Sequence, residues 1–113
     1  MSRVKDILAR LVERANSLPE VKDMTSDWIC TIQFDVEGEM PLYLSFENGV
    51  ASLHEGTHQS PKVTLKAKEE TVYKLLLGEL DSIKAYFTRQ LHVSGSLSDA
   101  IKFEQIGEAV RKG

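Results

Sequence analysis

The 113-residue sequence predicts an α/β (α+β) fold with two layers, a sheet covered on one face by helices. Segments in which apolar and polar residues alternate with period 2 indicate the strands, and DWICTIQFDVE at 27–37 is the clearest. The dipeptide Asn48–Gly49 is a strong hairpin signal, because both central residues of a type I′ turn need a positive φ. Apolar residues at helical spacing near both chain ends predict the covering helices.

An amphipathic helix is predicted at 2–18, with Ser2 as its N-cap and Pro19 at its end. One face is apolar and the opposite face is charged. This pattern is typical of a helix that docks on its own sheet, although the charged face would also favour contact with an anionic surface. The apolar face consists of Val4, Ile7, Leu8, Leu11, Val12 and Ala15.

Five strands are predicted, of which the first three form an antiparallel meander. They lie at 27–37, 41–47, 50–55, 62–68 and 91–95. The period-2 pattern places one set of side chains in the core: Trp28, Cys30, Ile32, Phe34, Val36, Leu42, Leu44, Phe46, Val63, Leu65 and Ala67. The same pattern places Gln33 and Tyr43 on the outward face.

Three further helices are predicted in the second half of the chain. The helix at 69–77 stops at Gly78, which suits the left-handed position after a helix. Asp81 caps a short helix at 82–89, and the Ser96–Asp99 segment resembles a capping box that opens the last helix. That last helix has a broad apolar face made of Leu97, Ala100, Phe103, Ile106, Gly107 and Val110.

Charge and composition argue against several classes of function. The net charge is −3 and the pI is about 5.6, so no electrostatic footprint for nucleic acid is present. No apolar run approaches the ~20 residues of a membrane span, and the N-terminal segment lacks a signal-peptide core, so we expect a cytoplasmic protein. The single cysteine, Cys30, lies in an apolar alternation, which predicts a buried and inert thiol.

Catalytic motifs are missing with one exception. The sequence has no nucleophile elbow, no phosphate-binding glycine loop, no C-x-x-C pair and no dinucleotide-binding turn. Neighbouring carboxylates such as Glu69 and Glu70 fall on predicted polar faces, where solvent surrounds them. We therefore expect no enzymatic activity and no cofactor.

The exception is HEGTH at 54–58, which matches the H-E-x-x-H signature of zinc peptidases. That signature needs two histidines one helical turn apart, so that both bind one metal ion. Gly56 and the nearby Pro61 disfavour a helix. A strand would separate His54 and His58 by about 13 Å, too far for a shared zinc ion. We interpret HEGTH as a strand end and loop, with a zinc metallopeptidase as the minor alternative.

Residues 75–103 resemble the C-terminal signature of the sterol carrier protein type 2 (sterol-binding) domain family. The matching elements are Gly78 before Leu80, Ala85–Tyr86, Leu91–x–Val93–x–Gly95–x–Leu97 and Ala100–x–Lys102–Phe103. Upstream, Trp28, the Asn48–Gly49 hairpin and the segment at 61–65 follow the order of elements in that family. The resemblance covers nearly the whole chain, and its spacing is most specific within 78–103.

The resemblance implies a single domain over 1–113, with a five-stranded, mostly antiparallel sheet and helices that enclose an apolar tunnel. The implied function is to bind, and by extension transfer, fatty acids, fatty acyl-CoA, sterols or related lipids without catalysis. The residues that the resemblance places in the tunnel wall are Phe34, Leu44, Phe46, Leu76, Ile83, Phe87, Phe103 and Ile106. Each of these residues could equally be ordinary core.

Two features depart from the family pattern. Many members carry a Gly-Lys pair before the fifth strand, where this chain has Arg89–Gln90. Because glycine permits a positive φ, we expect a different local turn here. The chain ends in Arg111–Lys112–Gly113 and not in an S-K-L type address, so a peroxisomal location is unsupported.

Other interpretations stay open. An interaction module with a solid core would use the same apolar surface to bind a protein partner or a second copy of the chain. Within the lipid-binding interpretation, the helix at 2–18 is the candidate for transient membrane contact. No residue is assigned to a ligand headgroup, although Gln33, Tyr43, Gln90 and His92 lie near strand positions that could reach a tunnel mouth.

Overall fold

Within residues 2–113, which the computed structural model describes, five strands form one mixed sheet that carries helices on one face. The strands are β1 (Cys30–Glu37), β2 (Leu42–Glu47), β3 (Val50–Glu55), β4 (Val63–Lys68) and β5 (Leu91–Gly95). The helices are α1 (Arg3–Ser17), α2 (Pro19–Thr25), α3 (Glu69–Leu77), α4 (Ser82–Phe87) and α5 (Leu97–Lys112). Met1, the first residue of the predicted 1–113 domain, lies outside the described residues, and the single-domain interpretation stays a prediction.

The strand order is β3-β2-β1-β4-β5. β1 and β4 are parallel, while the other three neighbouring pairs are antiparallel. The predicted five-stranded, mostly antiparallel sheet is therefore confirmed. The hairpin between β2 and β3 turns at Asn48 and Gly49, and both have the positive φ that a type I′ turn needs.

The predicted N-terminal helix is present as α1, and its apolar face is part of the core. Ser2 caps the helix, because its hydroxyl accepts a hydrogen bond from the amide of Lys5 at 3.1 Å. Val4 and Leu8 are buried, and the helix packs against β3, α3 and α5. Of the two arrangements considered for this helix, docking on its own sheet is the one observed. Any membrane contact through α1 would therefore use its charged face.

The seven-residue helix α2 is an element that the sequence analysis missed. Pro19 was expected to end the helical region, but it begins α2 at the first helical position, where its missing N–H costs nothing. Leu18 is extended between the two helices, and this single residue turns the chain from α1 into α2. Val21 and Thr25 of α2 are buried, so the segment completes the core next to α5.

The inner face of the sheet is as apolar as the alternation predicts. Ile32, Phe34 and Val63 are almost completely buried. Cys30 is also buried, and burial raises the pKa of its thiol to about 11. The predicted burial of this thiol is therefore confirmed, and a thiol with so high a pKa carries little nucleophilic thiolate at neutral pH.

Gln33 is on the outward face that period 2 predicts, but a loop buries it there. Its side chain lies on the outer face of the sheet, yet it is only 4% exposed. Its amide donates to the carbonyl oxygens of Leu42 at 3.0 Å and Gly56 at 3.1 Å, and its Oε1 accepts the amide of His58 at 2.8 Å. The loop after β3 therefore folds over this residue, and all three hydrogen bonds offset the cost of burying the amide.

The caps correctly predict the end of α3 and the starts of α4 and α5, whereas α4 ends at Phe87, two residues earlier than predicted. α3 stops at Gly78, which has a φ of +78°. The Asp81 carboxylate accepts the amide of Ile83 at 2.9 Å, and the Ser96 hydroxyl accepts the amide of Asp99 at 3.2 Å. These hydrogen bonds satisfy amides at the starts of α4 and α5 that have no partner within the helix.

The turn before β5 differs from the expectation for Arg89. Arg89 was expected to change this turn because it replaces a glycine. In the structure, Arg89 adopts a φ of +63°, so the left-handed turn is retained despite its side chain. The amide of Gln90 then donates to the carbonyl of Ala85 at 2.8 Å, which closes the end of α4.

Gly95 sits where the end of β5 meets the chain that enters β4. Its φ is +95°, and a β-carbon at this position would overlap the backbone carbonyl of Lys62. The same carbonyl accepts the amide of Ser96 at 2.9 Å, so it cannot move away without breaking a hydrogen bond. Gly95 therefore allows β5 to close against the sheet and α5 to begin directly afterwards.

Replacing Gly95 by alanine is expected to lower the free energy of unfolding by roughly 3 kcal/mol, because left-handed strain and a backbone clash add together. Gly38→Ala is the matched control, since Gly38 has a φ of +78° but no atom within 4 Å of the added carbon. This control should lose only about 1 kcal/mol. Urea denaturation measures both changes, and equal losses would contradict the close approach at Gly95.

Candidate functional site

A cavity of about 370 Å³ lies between the inner face of the sheet and the helices that cover it. β1 and β2 contribute Phe34, Leu44 and Phe46, and α5 contributes Phe103 and Ile106 from the opposite side. Side chains from β3, β4, β5, α1, α3 and α4 complete the wall, which is almost entirely apolar. The volume falls within the range of roughly 300–1,000 Å³ that is usual for small-molecule sites.

All eight residues that the sequence analysis placed in a tunnel wall line this one cavity. They are Phe34, Leu44, Phe46, Leu76, Ile83, Phe87, Phe103 and Ile106. Their contact with a lipid stays a prediction, as does a tunnel in place of a cavity. The eight residues lie at different depths in the cavity. Phe34, Leu44 and Phe46 are buried at the base of the cavity, whereas Ile83 is 60% exposed and Phe87 is 75% exposed.

The exposed apolar residues form a rim around the opening of the cavity. We define this apolar rim as five cavity-lining residues from α4 and α5 that are each more than two-fifths exposed. They are Ile83, Tyr86, Phe87, Leu97 and Ile101. Large apolar side chains are seldom grouped at a protein surface without a binding role. The rim therefore extends the apolar wall of the cavity outward to solvent.

Several residues that line the cavity were not assigned to it from the sequence. α1 contributes Leu8, Leu11 and Val12, which the helical periodicity had already placed on one apolar face. The signal needed to find them was present, but a docked helix and a cavity-lining helix have the same periodicity. Further apolar residues that line the cavity are Leu65, Val72, Leu75, Leu80, Leu91 and Val93.

Trp28 attaches α5 to the sheet next to the cavity. Its indole nitrogen donates to Asp99 Oδ1 at 3.0 Å, and its ring lies 4.9 Å from the ring of Phe46. One turn further along α5, Phe103 meets Phe34 and Phe46 edge-on, with ring centroids 6.0 and 6.1 Å apart. These contacts hold the Phe103 ring over the base of the cavity.

The HEGTH stretch lies on the outer face of the sheet, away from the cavity. His54 is in β3 and stacks on Tyr43 of β2, with ring centroids 4.9 Å apart. His58 follows in a loop after Gly56, whose φ is +107°, and meets the same Tyr43 ring edge-on at 5.2 Å. The prediction that this stretch is a strand end and a loop is confirmed.

The remaining groups of HEGTH also have structural partners. Glu55 forms an ion pair with Lys5 of α1, with 2.7 Å between Nζ and Oε2, and this hydrogen bond raises the pKa of Lys5. The Nδ1 atom of His58 accepts the amide of Ser60 at 3.0 Å. Among residues 2–113, no three histidine, cysteine or carboxylate side chains are close enough together to hold a metal ion. HEGTH therefore lacks the geometry of a zinc site.

The four polar residues considered for headgroup contact do not line the cavity. Gln33 and Tyr43 lie on the opposite face of the sheet. Gln33 forms a hydrogen bond with the loop after β3, and Tyr43 stacks on His54. Gln90 and His92 are exposed, and His92 pairs with Lys66 in the β4–β5 ladder. The polar lining residues lie instead on the helices, and they are Ser82, Glu104 and Arg111.

In the part of the chain that the structure describes, no helix is long and apolar enough to span a membrane.

Comparison with known proteins identifies a family. The model of the SCP-2 sterol transfer family matches residues 8–108, which is most of the chain. No curated protein sequence matches it.

Solved structures with the same fold include domains of similar size. UbiJ-SCP2, a ubiquinone synthesis protein, aligns over 97% of this chain and 92% of its own, with 16% identity and a TM-score of 0.79. Palmitated SCP2L2 from Aedes aegypti, solved by NMR, aligns over 95% of both chains, with 16% identity and a TM-score of 0.73. At these identities the likeness concerns the fold alone.

The fold also occurs within a larger enzyme. The stereoselective inverting sec-alkylsulfatase Pisa1 from Pseudomonas sp. aligns over 75% of this chain, with 20% identity and a TM-score of 0.68. The alignment covers 14% of the sulfatase, so this chain spans about one seventh of that enzyme's length.

The geometry of HEGTH predicts that the protein does not bind zinc stoichiometrically. Isothermal titration with zinc chloride should give the same weak heats for the unaltered protein and for His58→Ala, because neither contains a three-ligand cluster. One zinc ion bound per chain, and lost in the His58→Ala variant, would contradict this interpretation.

Proposed function

The chain belongs to the SCP-2 sterol transfer family, and we propose that it binds one amphipathic lipid in its apolar cavity. Family membership and the fold support lipid binding and transfer in general. The observation that carries the more specific proposal is the cavity itself, about 370 Å³ in volume and lined by side chains from both layers of the fold. A wall of this kind is complementary to an acyl chain or another apolar molecule.

We place the acyl chain between the sheet and α5. On one side it would contact Phe34 and Phe46, and on the other side Phe103 and Ile106. Each buried methylene contributes about 0.8 kcal/mol, so about ten of them would contribute roughly 8 kcal/mol before the costs of association are subtracted. Fatty acids, fatty acyl-CoA and sterols are the ligand classes proposed. The palmitated state of the similar SCP2L2 supports the first of these.

The apolar rim supplies a route for exchange of the lipid. A ligand that leaves the cavity past Ile83 and Phe87 would stay in contact with apolar side chains until it reached a membrane or a partner. The charged face of α1, where Arg10 is exposed, is the proposed site of transient membrane contact, because its apolar face is occupied by the core. We propose that the protein acts in the cytoplasm.

We propose a binding module and not an enzyme. The acidic and basic residues of the cavity wall are Glu104 and Arg111, and no histidine or cysteine accompanies them there. Ser82 supplies a hydroxyl in the wall, but no hydrogen bond joins it to a histidine or a carboxylate among the described residues, so the wall has no nucleophile paired with a base. Any chemistry on the lipid would come from a partner enzyme.

The apolar rim also favours a second candidate function, association with a protein partner or with a second copy of this chain. Tyr86 and Phe87 are residue types enriched at protein interfaces, and both are exposed. Sedimentation analysis separates the two functions. Concentration-dependent dimerisation without lipid uptake would favour the interaction module.

Replacing Phe103 by aspartate is expected to reduce uptake of a fluorescent fatty acid, cis-parinaric acid, at least tenfold. The substitution removes a cavity-lining ring and places a carboxylate in an apolar wall, which is costly. Ile29→Asp is the matched control, since Ile29 is an exposed apolar residue outside the cavity wall. This control should bind the probe like the unaltered protein.

A second variant separates blocked uptake from loss of folding. Ala100→Phe keeps the wall apolar but places a larger side chain in the cavity, so it should reduce uptake while circular dichroism shows a folded protein. Unchanged uptake by folded Phe103→Asp and Ala100→Phe proteins would contradict the placement of the lipid between the sheet and α5.

A further inference from the structure

Arg111 is the basic residue in the wall of the cavity. It lies in the last turn of α5 and its side chain is exposed, so its guanidinium stands at the edge of the cavity and not in the core. The other polar lining residues are Ser82 at the start of α4 and Glu104 in the middle of α5. A positive charge at the edge of an apolar cavity is complementary to an amphipathic anion.

The guanidinium of Arg111 has no structural partner among residues 2–113. Ion pairs in that range join Arg3 to Glu69, Lys5 to Glu55 and Lys74 to Glu70, but none includes Arg111. The end of α5 does not need it either. Arg14 of α1 already donates to the carbonyl oxygens of Val110 and Gly113, which would otherwise be natural partners for a basic residue in the last turn.

The Arg111 side chain lies against two glycines. A β-carbon at Gly78 would stand 2.6 Å from Arg111 Nε, and one at Gly107 would stand 3.1 Å from a terminal guanidinium nitrogen. Gly78 is already required by its positive φ, but Gly107 has no such requirement. Within a helix, glycine costs about 1 kcal/mol relative to alanine. The helix-forming preference of α5 therefore does not explain Gly107, against which the guanidinium lies.

We propose that the guanidinium of Arg111 binds the carboxylate of a fatty acid whose chain occupies the cavity. This inference rests on the proposed function and makes it more specific. Guanidinium and carboxylate groups match in geometry and form paired, charge-assisted hydrogen bonds. Glu104 lies seven residues earlier in α5, or about 10 Å along the helix axis, so the carboxylate end of the ligand is directed toward Arg111 and away from Glu104.

A preference for ionised fatty acids over neutral lipids follows. A methyl ester or a sterol can fill the same apolar cavity, but neither carries the charge that Arg111 would bind. The site therefore selects for the headgroup at its edge and accepts the chain by apolar contact alone.

The test compares cis-parinaric acid with its methyl ester, titrated at pH 7.5 into the full chain and into two variants. Arg111→Gln removes the proposed contact. Lys112→Gln is the matched control, because it removes the same charge from a neighbouring exposed residue that does not line the cavity. We expect Arg111→Gln to weaken binding of the acid about tenfold, without a change for the ester. Lys112→Gln should leave both affinities unchanged.

Three outcomes would overturn the role of Arg111. These are unchanged binding of the acid by Arg111→Gln, an equal loss for acid and ester, and a loss of similar size in Lys112→Gln. Each leaves the proposed function in place, because the unaltered protein still binds both probes. If the unaltered protein binds neither probe, the proposed function fails and the headgroup assignment fails with it.

Discussion

Covering the apolar face of the sheet is the constraint on which the rest of the structure depends. A sheet whose inner positions include Ile32 and Phe34 must be shielded from water, and α1 and α5 provide that cover from opposite sides. Arg14 of α1 donates to the last carbonyls of α5, so the two covering helices are also joined to each other. The two helices leave the cavity between themselves and the sheet.

This arrangement explains how a small domain can have both a stable core and a cavity. The tightly packed part of the core includes Val4, Ile32 and Val63, which are almost completely buried and do not line the cavity. The part beneath α4 is covered by a helix of six residues, which is too short to bury much apolar surface. Stability and ligand access thus depend on different side chains of the same apolar layer.

Much of the fold could be predicted from the sequence, because its elements have strong local signals. Strict alternation marks β1, the Asn48–Gly49 turn marks the hairpin, and Asp81 and Ser96 mark the starts of α4 and α5. Elements decided by contacts between distant residues could not be predicted. Helix α2 is too short for a clear period, and its burial depends on the position of α5. The burial of Gln33 depends on a loop 23 residues further along the chain.

The cavity shows a similar division. Its eight predicted wall residues were found through a family resemblance, since periodicity can identify an inner face but not a space left unfilled behind it. Arg111 was not assigned from the sequence, because a basic residue in the last turn of a helix is ordinary there. HEGTH is the opposite case, a sequence motif whose site the structure does not form. Its spacing matches a metal motif, but the strand and the loop direct its histidines toward Tyr43.

Native mass spectrometry of the protein as purified from cells, compared with its denatured mass, tests the central claim most directly. We expect a set of additional masses in the native spectrum that correspond to fatty acids or related lipids and disappear on denaturation. A native mass equal to that of the bare chain, unchanged after incubation with fatty acid, would contradict the claim that the space between the sheet and α5 is a lipid-binding site.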